Sequence, residues 1–107
     1  MMLRFEPGRS ELTLTAQRTT LTMLENFLGP LAGQRMRVEG HCDGAEERLG
    51  GMALSRRRAE VVTAFLVLNG VPAGLITTTA VGATRPLILT PPRTPEEGNR
   101  RVEVWVV

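Results

Sequence analysis

The chain has no tyrosine, no lysine, one tryptophan and three phenylalanines among its 107 residues. A protein this poor in aromatic platforms is badly equipped to stack single-stranded nucleic acid. Its formal net charge of +2 adds no broad basic field, because all basic residues are arginine and their one local excess is Arg56-Arg57-Arg58. Nucleic acid is therefore not expected as a partner. A single cysteine, Cys42, rules out an internal disulfide. No apolar run approaches the roughly 20 residues of a membrane helix. Met1-Met2-Leu3-Arg4-Phe5 also lacks the basic-then-apolar layout of a secretory signal.

What is present suits one domain spanning residues 1–107. Hydrophobic residues make up 42% of the chain, enough for one modest core. Met2, Leu3 and Phe5 before the Pro7-Gly8 turn signal suggest a first strand. Leu14, Gln17, Leu21, Leu24 and Leu28 recur at helical spacing, predicting a helix from Glu11 to Leu28 that Gly29-Pro30 stops. Alternation over Arg35–Glu39 predicts a half-buried strand, and Gly40–Gly51 a glycine-rich acidic loop. A second helix is expected over Ala53–Asn69, with Leu54, Val61, Phe65 and Leu68 on its apolar stripe and Asn69-Gly70 ending it. Leu75–Val81 reads as a strand, Ala83–Gly98 with four prolines as an irregular connection, and Arg101–Val107 as a last strand with Val102, Val104 and Val106 on a shared face. This β-α-β-α-β-β order predicts an α+β two-layer sandwich, with both helices on one face of a mixed sheet.

The chemistry concentrates in Gly40-His41-Cys42-Asp43-Gly44, which holds the only His, the only Cys and the only Asp. It lies where the second strand opens into its loop, a usual position for a ligand crevice. Arg58 falls on the expected apolar stripe, four residues after Leu54 and three before Val61. A guanidinium there has to be paired or face a polar cleft. Asp43, at the start of the loop that returns to this helix, is the expected neighbour. Two readings stay open from position alone. One is a structural ion pair. The other is a split site for a zwitterion, with Asp43 taking an ammonium and Arg58 a carboxylate, helped by free amides at the helix start. Catalysis by His41 and Cys42 is not expected, because neighbouring strand residues point to opposite faces. A metal site lacks a second spaced ligand pair, and no cofactor is expected.

Several ordered motifs carry a resemblance. They are Val38-Glu39-Gly40-His41-Cys42-Asp43, Leu54-Ser55-Arg56-Arg57-Arg58-Ala59, Asn69-Gly70-Val71, Gly82–Pro86 and Asn99-Arg100-Arg101-Val102-Glu103. With Phe5, Gly8, Ser10 and Leu12 at the opening, they resemble the outer-membrane-protein-A-like (OmpA-like) C-terminal domain family, also found in flagellar stator anchors and peptidoglycan-associated lipoproteins. The resemblance implies non-covalent binding of the diaminopimelate of peptidoglycan stem peptides, with Asp43 and Arg58 as ligand-binding residues. His41, Cys42, Gly44, Leu54, Ser55, Asn99, Arg100 and Arg101 would support the site. It also implies a periplasmic domain of a longer envelope protein, tethered to a membrane through parts outside this chain. The chain departs from the family pattern at Cys42 (usually Thr), Gly51 (commonly Asn) and Ala80 (Gly), and in a Thr94–Arg101 segment shorter by two. These departures leave a second expectation: an OmpA-like fold that contacts envelope or secretion-complex proteins and does not bind the wall.

Overall fold

The computed structural model describes residues 1–29 and 32–107; Pro30 of the expected helix stop lies outside them. In chain order come β1 (Met2–Arg4), α1 (Leu14–Phe27), β2 (Met36–Gly40), α2 (Gly51–Leu68), β3 (Ile76–Ala80) and β4 (Arg101–Val106). The four strands form one mixed sheet in the order β1-β4-β2-β3. β4 runs antiparallel to both its neighbours, whereas β2 and β3 are parallel and joined through α2. The expected α+β sandwich is the observed fold.

Met36 and Val38 of β2 share the core with Leu3, Val102 and Val104 from the neighbouring strands. Ala16, Leu24 and Phe27 of α1 and Ala59, Val62 and Leu66 of α2 close over them. The helix phases differ from the expected stripes. On α1 the buried positions are Ala16, Thr20, Leu24 and Phe27, so Leu14, Leu21 and Leu28 face outward and only Leu24 was placed correctly. The buried Thr20 hydroxyl is satisfied by the Ala16 carbonyl one turn back. The helix also begins later than Glu11: Thr13 caps it, accepting from the Ala16 amide at 3.0 Å.

On α2 the buried stripe is Gly51, Leu54, Ser55, Arg58, Ala59, Val62 and Leu66. Val61 and Phe65 are only half-buried, and Leu68 is 83% exposed. Arg58 nevertheless lies on the buried stripe, with Val62 rather than Val61 as its apolar successor. Of the three valines expected on one face of the last strand, Val102 and Val104 are buried and Val106 is exposed. β1 pairs with β4 from Arg4↔Arg101 to Met2↔Glu103, and Met1 extends the contact by two hydrogen bonds to Val104.

The opposite face of the sheet carries charge. Glu39 and Glu103 stand directly across from each other on β2 and β4, an unfavourable pairing of like charges. Arg85 reaches Glu39 at 3.3 Å and Arg101 reaches Glu103 at 2.6 Å, offsetting that repulsion.

Candidate functional site

At the end of β2 the chain passes very close to α2. A Cβ on Gly40 would collide with the Ser55 carbonyl, so only glycine allows this approach. Ser55 ties the junction together: its hydroxyl donates to the Met52 carbonyl and accepts from the Gly82 amide at 3.1 Å. The Cys42 amide donates to the Gly82 carbonyl, and its thiol is buried against the start of α2. A Cβ at Gly51 would stand 2.6 Å from Cys42 Sγ. The two departures from the family pattern, at Cys42 and Gly51, are thus in mutual contact. Burial, reinforced by the nearby Glu46 carboxylate, raises the Cys42 thiol pKa to about 11 and keeps it protonated at neutral pH.

Asp43 is 1% exposed and fully engaged. Oδ1 accepts from the Glu46 amide at 2.8 Å, while the Asp43 amide donates to Glu46 Oε1 at 3.0 Å. This reciprocal pairing has the D-x-x-E spacing of a capping box. Oδ2 accepts from the Glu96 amide and from Arg100 Nη1, at 3.1 and 3.0 Å. Arg100 also donates to the Phe5 carbonyl, which brings the start of β4 and the end of the first strand segment to the same point.

Arg58 is fully buried, at 0% exposure. Its fork grips Glu46 bidentately, Nη1 to Oε1 at 2.8 Å and Nη2 to Oε2 at 2.6 Å. The remaining donors go to the carbonyls of Arg9 (Nε, 2.8 Å), His41 (Nη1, 3.0 Å) and Glu6 (Nη2, 3.3 Å). All five guanidinium donors are used, and the Phe5 ring lies 5.3 Å from the guanidinium carbon. The expected direct pairing of Asp43 with Arg58 is therefore corrected: Asp43 pairs with Arg100, Arg58 with Glu46, and Glu46 links the two. Geometry decides this. A Glu at D+3, turned back by the capping box, reaches the fork before Asp43 can.

Glu46 is the residue the sequence reading missed. It is 5% exposed and accepts four hydrogen bonds, two from Arg58 and one each from the amides of Asp43 and Gly8. The signal was available in Asp43-x-x-Glu46, but the segment read only as an acidic loop. The four side chains Asp43, Glu46, Arg58 and Arg100 carry two charges of each sign and form a neutral buried network.

The other expected supporting residues have structural duties. Leu54 is core. Gly44 packs under Arg93 and Thr94 of the proline-rich connection. Asn99 staples that connection, accepting from the Leu87 and Ile88 amides and donating to the Ile88 carbonyl. Arg101 binds Glu103 and the Arg85 carbonyl on the charged sheet face. His41 lies on that face too, buried, with Nε2 3.0 Å from Glu39 Oε1 and 3.4 Å from Glu103 Oε2. Neither ring nitrogen has a well-aligned hydrogen-bond partner. Its pKa is lowered, first by burial and then by Arg101, against the upward pull of the two carboxylates.

Two openings flank the network. A groove of about 640 Å³ between β1 and α1 reaches Phe5, Glu6 and Arg100. A notch of about 140 Å³ lies beside Cys42, Gly44 and Asn99. Only the first has the volume usual for a ligand pocket. Among the described residues there is no cluster of acidic, His and Cys side chains able to hold a metal ion, and no helix is long and apolar enough to cross a membrane.

The profile of the OmpA family matches residues 4–101. The chain belongs to that family. OmpA-family relatives include an outer membrane protein of Gluconacetobacter diazotrophicus, 36% identical over 94% of this chain, and a peptidoglycan-associated lipoprotein of Pseudomonas aeruginosa, 35% identical over 94%. The chain spans 28% and 58% of the lengths of those two proteins. Several solved structures share the fold, among them the following two. The peptidoglycan-associated lipoprotein of Burkholderia pseudomallei superposes with a TM-score of 0.82 at 21% identity, covering 96% of this chain and 86% of that one. The cell wall anchor of the T6SS from Pseudomonas aeruginosa gives 0.77 at 23% identity, covering 98% and 78%.

Proposed function

We propose that this OmpA-family domain anchors a longer envelope protein to peptidoglycan in the periplasm, as a binding module and not an enzyme. The ligand is the diaminopimelate of the stem peptide, with Asp43 taking its ammonium and Arg58 its carboxylate. The observation carrying this reading is that Asp43 and Arg58 occupy the two family motif positions and belong to one hydrogen-bonded network. Relatives named for association with peptidoglycan and for cell wall anchoring support it.

A second reading has its own support. Arg58 has no unused donor, and Asp43 is buried with three hydrogen bonds already accepted, as in a domain that keeps the fold and contacts envelope or secretion-complex proteins instead of the wall. Sedimentation with diaminopimelate-type peptidoglycan separates the two. Wild-type protein should co-sediment, and Asp43→Asn and Arg58→Lys should each reduce retention at least about tenfold, the scale of one lost charge-assisted contact of 1.5–3 kcal/mol. Equal retention of all three defeats wall binding through this pair.

A further inference from the structure

The fork of Arg58 is already holding a carboxylate. Four donors converge on the carboxylate of Glu46: two guanidinium arms at 2.8 and 2.6 Å, the Asp43 amide at 3.0 Å and the Gly8 amide at 2.7 Å. The Asp43 carboxylate borders the same seat, its Oδ1 on the Glu46 amide. Two N–H groups from separate backbone segments and a planar fork form a receptor for a carboxylate. The chain fills that receptor with its own side chain, while Asp43 beside it is paired with Arg100.

We infer that Glu46 is an internal ligand that competes with diaminopimelate for Arg58, so that wild-type affinity is set by how often Glu46 leaves the seat. This inference rests on the wall-binding reading and adds a specificity-determining residue to it. Exchange of one carboxylate for another leaves the buried charge unchanged, so a ligand carboxylate pays no new desolvation at Arg58. What it must overcome is proximity: Glu46 is tethered on a turn between β2 and α2 and is present at high effective concentration. Apparent affinity falls by the fraction of time the seat is open, so a seat open about 1% of the time weakens binding about 100-fold. The inference requires the turn carrying Glu46 to open locally without unfolding the sheet.

The test removes the internal ligand and supplies an external one. Glu46→Ala should gain more thermal stability on addition of acetate or meso-diaminopimelate than wild-type protein or the exposed-site control Glu47→Ala. Its affinity for meso-diaminopimelate, by calorimetric titration, should exceed wild type at least about tenfold. Should Glu46→Ala not fold, Glu46→Gln keeps hydrogen-bonding capacity but loses the charge, and the same gain in affinity is expected. An Ala variant indifferent to both carboxylates, or a Gln variant binding diaminopimelate no better than wild type, overturns the inference. Wall binding can fail separately. Acetate rescue with no diaminopimelate or peptidoglycan binding by any variant would uphold the occupied seat and remove its proposed ligand. Wild-type peptidoglycan binding that Glu46 variants do not strengthen would uphold the anchor and remove the competitor.

Discussion

Arg58 is the residue on which most of the site depends. Its five donors are spent on one side chain and three carbonyls that belong to distant parts of the chain. Truncation to Ala would leave the Glu46 charge buried without its partner, so Arg58→Ala should lose about 3–5 kcal/mol, read from urea denaturation. Replacing both members by Met should recover much of that loss, because a packed apolar pair avoids the desolvation that each ion carries. At this scale the sequence spoke clearly about Arg58 and only partly about its company. An arginine on a buried stripe demands an anion, and the sequence offered Asp43 as the only Asp in the chain. It did not say which acid would win. That depended on the backward turn of Asp43-Gly44-Ala45-Glu46, a local geometry that charge placement does not encode.

The elements were easier to locate than to orient. All four strands and both helices lie where the pattern placed them, within a few residues at their ends. On α1 the leucine spacing points to one face, whereas the buried face is Ala16, Thr20, Leu24 and Phe27. On α2 the same bias favoured Leu68 over Val62 and Leu66. The long connection from Ala83 to Gly98 was legible as irregular through its prolines, but its anchoring was not. One amide, Asn99, makes three hydrogen bonds that hold Leu87 and Ile88 in place, and Leu89 beside them is exposed. Asn99→Ala should leave the sheet folded while speeding proteolytic cleavage within Leu87–Thr90 at least about tenfold, read by mass spectrometry of limited digests. That rate is governed by local opening.

For the molecule as a whole, pH acts through the charged face of the sheet. His41 is held neutral by burial and by Arg101, in spite of Glu39 and Glu103. Its folded pKa therefore lies below the unfolded value of about 6.5. The unfolded chain then binds the extra proton first, so this contribution to stability is complete above about pH 6.5 and is lost as pH falls toward the folded pKa. Urea midpoints should drop between about pH 7 and 5.5, and His41→Gln should flatten the slope in that window without moving the neutral-pH midpoint by the same amount. This sensitivity sits on the face opposite the helices, while the Asp43–Arg58 network closes the end of β2.

The two backbone amides beneath the Glu46 carboxylate give the site a clock. Gly8 and Asp43 come from different segments, yet both N–H groups are covered by the same side chain. Each amide exchanges with deuterium when its hydrogen bond to that side chain breaks. Their exchange rates, measured on the unliganded protein, report how readily Glu46 leaves the seat.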